Sequence, residues 1–243
     1  MGTASWTDRT LLESGWYPPE ADTPEQRLRY YARQFPLVEV DATYYALPGE
    51  QTAALWAART PAAFNIKAFS LFTHHPTPVA ALPVDLRPAA EKTGKDRVYF
   101  KDVGPAVAEE AWQRFSAALE PLRSAGKLGA ILLQFPPWFP ISRARKDYIV
   151  ACAQRAAPDR VCVEFRNRTW MTPGNQDETL GSSPSTTCPT YAWTCRKATV
   201  TPSRRCSPPP RPTWPWFVCT GTQASGTART STSGSATATP TPS

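Results

Sequence analysis

Leu128-Gly129-Ala130-Ile131-Leu132-Leu133-Gln134-Phe135-Pro136-Pro137 is the stretch whose reading decides the fold. It is a strongly apolar run, and two prolines stop it because they cannot continue a hydrogen-bonded ladder. It reads as a strand with one polar residue, Gln134, near its carboxyl end. Downstream, Tyr148, Ile149, Cys152 and Ala153 mark a helix capped by Ser142. Val161-Cys162-Val163-Glu164-Phe165 is the next strand. Upstream, Val107, Ala111, Trp112, Phe115, Ala118 and Leu122 recur at helical spacing.

Further towards the amino terminus the alternation repeats. Phe64-Asn65-Ile66-Lys67-Ala68 and Leu37-Val38-Glu39-Val40-Asp41 read as strands. A helix through Leu55 and Trp56 comes after Pro48. Another carries Leu28, Tyr31, Ala32 and Phe35 on one face, opened by the capping box Thr23-Pro24-Glu25-Gln26. Gly2 to Trp6 reads as a short first strand. Residues 76–104 form a connection too long for a plain loop, expected to be a lid or insertion. Five strands alternating with helices imply an α/β fold with a parallel sheet. The expected architecture is a TIM-type (β/α)8 barrel, here incomplete, with about five βα units.

Charge separates this body from the remainder of the chain. The 243 residues carry a net charge of +7, yet all 20 acidic residues precede residue 179. Residues 1–180 hold 21 basic groups against those 20, so the body is near neutral and has no electrostatic footprint for a phosphate backbone. Nucleic acid is therefore a weak expectation as partner. Residues 181–243 contain no Leu, Ile or Met but 15 Thr, 10 Ser and 10 Pro. Such a segment buries too little apolar area to offset chain entropy, and disorder is expected. It nonetheless carries Trp193, Trp214, Trp216, Phe217 and four of the six cysteines. Read one base earlier, its codons permit a helix end, a loop and a buried strand over 181–199, and another strand over 215–221. The chain is thus divided into a body, 1–180, and a low-complexity tail, 181–243, that reads as a frameshift product. No apolar run reaches the roughly 18 residues of a membrane span. No secretory signal or myristoylation pattern opens the chain, so a cytoplasmic location is expected.

Polar residues recur at the carboxyl ends of the strands: Asp41, Lys67, Gln134, Glu164 and Arg166. In a (β/α)8 barrel that rim is where sites are built. Glu39 and Glu164 are candidates for a general acid and base or for metal ligation; pairing of Glu164 with Arg166 is the competing structural reading. Asp41, two residues beyond Glu39, is expected on the same side of its strand. Lys67 is a candidate anion holder or base, and Arg166 a bidentate one. His74 and His75 are the only histidines, and His74 is preferred as a site residue. Trp6, Tyr17, Tyr44, Tyr45 and Trp170 form either an aromatic wall for a sugar ring or base, or core. Two adjacent histidines make no metal site, and the cysteines show no C-x-x-C spacing. Cys152 and Cys162 read as small buried apolar residues. Phosphate-binding loops of the Walker type and dinucleotide fingerprints are absent. No cofactor is assigned.

Several of these motifs resemble the YecE-like family (domain of unknown function 72). Gly2-Thr3-Ala4-Ser5-Trp6 with Trp16-Tyr17-Pro18 is similar to its opening. Val38-Glu39-Val40-Asp41-Ala42-Thr43-Tyr44-Tyr45 resembles its second-strand motif. Pro61 through Lys67 with Thr73-His74, Leu132-Leu133-Gln134-Phe135-Pro136-Pro137, and Glu164-Phe165-Arg166 with Trp170 resemble the next three. The likeness covers residues 2–180 and implies a TIM-type barrel. After Leu180 the chain departs from the pattern, and strands six to eight are expected to be missing. The function expected is that of an enzyme acting on a small polar or anionic substrate, hydrolase- or isomerase-like. The alternatives are a non-catalytic barrel binding a ligand or nucleic acid, and a truncated product without function.

Overall fold

The computed structural model describes residues 5–179 and 191–195. Helices and strands alternate along the chain: α1 (Arg9–Glu13), α2 (Pro24–Gln34), β1 (Leu37–Val40), α3 (Ala42–Tyr45), α4 (Glu50–Arg59) and β2 (Ala63–Lys67). An inserted stretch then carries β3 (Thr77–Pro78), α5 (Arg87–Glu91) and β4 (Arg97–Val98). The alternation resumes with α6 (Phe100–Ala118), α7 (Glu120–Ser124), β5 (Leu128–Phe135), α8 (Arg143–Ala156), β6 (Val161–Phe165), α9 (Gln176–Thr179) and β7 (Tyr191–Cys195). The main sheet is parallel throughout, in the order β1-β2-β5-β6-β7. An ordered run of parallel strands joined by helical crossovers is one arc of a (β/α) barrel.

Local chemistry accounts for most boundaries. Thr23 and Gln26 form the expected capping box, with Pro24 at the first helical position. Ser142 accepts from the Arg145 N–H at the start of α8. Phe35 ends α2 in extended backbone, and β1 begins two residues later.

The two faces of the sheet differ. Val38, Val40, Phe64, Ile66, Ile131, Leu133, Phe135, Val161, Val163 and Phe165 pack in one large core with residues of α2, α4, α6 and α8. Alternate residues point the other way. Ala130, Leu132 and Cys162 form a second, small cluster there, and Glu39, Asn65, Gln134 and Glu164 share their phase. This second face is the barrel interior, and it is markedly polar.

The strand pairing carries one irregularity. Phe64 pairs with Leu128 but Asn65 with Ala130, so Gly129 is an extra residue in β5. A Cβ on Gly129 would lie 2.6 Å from Asn65 Oδ1 and 3.2 Å from the Phe64 carbonyl oxygen. Only glycine lets the two strands approach there.

Two expectations need correction, the first strand and the helix through Leu122. Within the expected first strand, residues 1–4 lie outside the described part, Ser5 has left-handed backbone (φ 64°), and Trp6 and Thr7 form a turn. The Ser5 N–H still donates to the Glu39 carbonyl at 3.0 Å, prolonging the ladder on the β1 edge. The connection 76–104 takes the second of its two expected forms, an insertion. It holds the antiparallel pair of β3 and β4, the helix α5 and the start of α6. The helix expected through Leu122 is divided at Leu119 into α6 and α7, and Gly104 (φ 78°, ψ 164°) interrupts α6 just before Pro105. Tyr191–Cys195, within the stretch read as a tail, run parallel to β6 as β7. Tyr, Trp and Thr favour extended backbone. The rest of the frameshift reading lies outside the described residues.

Candidate functional site

All five strands run parallel, so the loops after β1, β2, β5 and β6 gather at one end of the sheet. The chemistry of the chain concentrates there. Gln134 and Glu164 are directly opposed in the β5–β6 ladder. Gln134 Nε2 donates to Glu164 Oε2 at 2.6 Å, and Arg166 Nε donates to Glu164 Oε1 at 3.1 Å. Glu164 is 1% exposed, so both oxygens of a buried carboxylate are occupied. The competing reading of Glu164 as the partner of Arg166 is thus realised in the geometry. Arg166 itself is partly exposed, and its two terminal amino groups make no hydrogen bond among the described residues.

Lys67 ends β2 and places Nζ 2.9 Å from Asp41 Oδ1 and 5.0 Å from the centre of the Tyr44 ring. The Asp41–Lys67 contact is an ion pair without hydrogen-bond alignment, because buried Oδ1 accepts no regular hydrogen bond. Asp41 is already helical (φ −86°, ψ −20°) and precedes α3, so strand alternation does not govern it. It reaches Lys67 nonetheless. Thr43 Oγ1 donates to the Lys67 carbonyl at 2.6 Å, fixing the start of α3 against the end of β2.

The two histidines have different surroundings. His74 (φ 59°) is packed among Phe100, Phe139 and Tyr148, with ring centres 6.0, 5.3 and 4.5 Å away. Its Nε2 is buried with no hydrogen-bond partner among the described residues, and burial lowers its pKa. His75 faces the rim, 5.2 Å from Tyr44 and 5.9 Å from Trp138. The Thr73 hydroxyl lies 3.3 Å from the Ser70 carbonyl oxygen and 3.0 Å from His75 Nδ1. Burial, with Lys67 and Arg166 nearby, pushes the His75 pKa down to about 4, so the ring is neutral at pH 7. Burial likewise raises the Tyr44 pKa. The sequence favoured His74; the rim position belongs to His75. Asn65 on the inner face and Trp138 after β5 were not singled out, although Asn65 lies in phase with Glu39 and Lys67.

The aromatic candidates divide. Trp6 lies in the helix-facing core, 6.0 Å from Trp56, and donates Nε1–H to the Pro24 carbonyl. Tyr17 donates to the Trp6 carbonyl at 2.7 Å. Trp170 is stacked 4.0 Å from Phe165 and donates to the Phe139 carbonyl. These three are packing residues. Tyr44 and Tyr45 stay at the rim. Glu39 sits on the inner face, opposite Asn65 in the ladder and close enough to Cys162 to raise its thiol pKa further after burial. Cys152 and Cys162 are buried free thiols. Among the described residues, no three His, Cys, Asp or Glu side chains are grouped to hold a metal ion.

Residues 1–193 match the family described as protein of unknown function DUF72. The chain belongs to the DUF72 family. It is 28% identical over 182 residues to UPF0759 protein YunF of Bacillus subtilis (strain 168), a match covering 74% of this chain and 55% of that protein. Two crystal structures of the DUF72 protein EF0366 from Enterococcus faecalis V583 share its fold. One aligns with a TM-score of 0.53 at 23% identity over 74% of this chain and 55% of the other. The second gives 0.50 at 24% over 63% and 53%. The chain therefore spans about half the length of these DUF72 relatives. The family description carries no activity. No helix among the described residues is long and apolar enough to cross a membrane.

Proposed function

We propose that this DUF72 chain contributes the anion-holding arc of a cytoplasmic barrel enzyme whose substrate is a small polar molecule bearing a phosphate or carboxylate. Arg166 carries the reading. Glu164, itself held by Gln134, anchors its Nε, and its terminal amino groups make no hydrogen bond among the described residues. A guanidinium held in this way matches two oxygens of an anion at once. Lys67, paired with Asp41, adds a second positive charge, and both cations act on the His75 ring.

The His75 ring, neutral at pH 7, is the proton acceptor best placed for chemistry on the bound molecule. Glu39 and Glu164 supply carboxylates on the inner face, with Glu164 acting mainly through Arg166. Proton transfer of this kind suits hydrolysis or isomerisation. The near-neutral body favours a small ligand over nucleic acid.

Inorganic phosphate tests the reading. It should raise the melting temperature of the chain in a saturable manner, and Arg166→Gln should remove the effect. An equal rise in the variant would refute the assignment.

A further inference from the structure

Four aromatic rings form a continuous line across the rim. Tyr45 touches Tyr44 at 5.0 Å, Tyr44 touches His75 at 5.2 Å, and His75 touches Trp138 at 5.9 Å. Each contact is edge to face, with interplanar angles of 85°, 81° and 73°. The two ends are open: Tyr45 is 69% exposed and Trp138 54%. Aromatic rings grouped at the surface beside polar groups offer a flat apolar face to a ligand.

The Trp138 end is held in place. Its Nε1–H donates to the His74 carbonyl at 3.3 Å. The Phe139 N–H donates to the Pro136 carbonyl, closing the turn around Pro137 and Trp138. Asn167 Nδ2 donates to the Pro137 carbonyl, tying this loop to the loop that starts with Arg166. The ring and the guanidinium therefore sit on two loops fastened to each other. Lys67 lies over Tyr44 on the same side, and Arg166 and Arg97 are near enough to act electrostatically on Tyr44.

From this arrangement we propose that the ligand is a mononucleotide, its base stacked on the exposed aromatic rings and its phosphate on Arg166. A flat base gains from an aromatic face, which a plain sugar phosphate uses far less well. A phosphate needs the fork of donors that Arg166 presents. The proposal rests on the anion site described above and adds the ring to it.

The test is calorimetric titration of the chain with adenosine 5′-monophosphate, adenosine, ribose 5-phosphate and inorganic phosphate. The nucleotide is expected to bind about tenfold or more tightly than either adenosine or ribose 5-phosphate. Trp138→Ala should reduce its affinity to that of ribose 5-phosphate and leave ribose 5-phosphate unchanged. Tyr45→Ala is the second variant, and its exposed ring can be removed without touching the core. Arg166→Gln should reduce the nucleotide to the level of adenosine. Equal binding of ribose 5-phosphate and nucleotide, or no effect of either aromatic variant, would overturn the base platform and leave the anion site standing. Failure of all four compounds to bind would overturn both.

Discussion

Gln134 and Glu164 face each other across neighbouring strands, joined by a 2.6 Å bond, and the same carboxylate accepts from Arg166 Nε. The carboxylate is buried, so its two partners decide whether the inner face tolerates it. A buried acceptor deprived of a partner costs about 1–3 kcal/mol. Gln134→Leu should therefore lower the unfolding free energy by about that amount in urea titration. Unchanged stability would show that the bond does not hold the carboxylate.

The pH dependence has a definite sign. The folded pKa of His75 is about 4, below its unfolded value of 6.5. Between those values the unfolded chain takes up a proton that folded His75 resists. This contribution to stability is complete above pH 6.5 and is lost as pH falls towards 4. The ring is partly exposed, so about 1–2 kcal/mol is expected rather than the full value of the shift. Denaturation midpoints at pH 7 and pH 4.5 measure it, and His75→Gln should flatten the difference. His74, also shifted downward, keeps a remnant.

Gly129 has no room for a side chain. Gly129→Ala would press a methyl group on Asn65 Oδ1 and the Phe64 carbonyl. Overpacking of this kind costs about 1–3 kcal/mol. A thermal melt should show the loss, and Asn65→Ala should relieve part of it by removing the nearest atom.

Two ion pairs should behave differently. Arg123 grips Asp159 with Nε at 2.8 Å and Nη2 at 2.6 Å, and the Asp159 side chain is only 5% exposed. Arg123→Ala strands that carboxylate and should cost about 2–3 kcal/mol. Arg9 and Glu13 pair in the open, and Glu13→Ala should cost no more than about 0.5 kcal/mol. Parallel urea titrations of the two variants compare them directly.

The sequence disclosed the strands and caps because their signals are local. Thr23 to Gln26 spells a capping box, and Leu128 to Phe135 is apolar up to two prolines. Strand ends named Lys67, Gln134, Glu164 and Arg166, and the structure brings them to one rim. Other features depend on distant partners. Trp6 and Trp170 look the same in sequence as Trp138; only the helices packed on Trp6 and the rings stacked on Trp170 assign them to the core. His74 and His75 are adjacent, and the left-handed backbone at His74 decides which one turns outward. Gly129 needs its bulge against Asn65 to be understood, and strand pairing is not written in either residue alone.

The most direct measurement is a crystal structure of the chain grown with inorganic phosphate, with Arg166→Gln as comparison. The expected result is a phosphate with oxygens at about 3 Å from the terminal nitrogens of Arg166, absent from the variant. Phosphate bound only on the outer helices, with the Arg166 guanidinium left in solvent, would contradict an anion site at the rim.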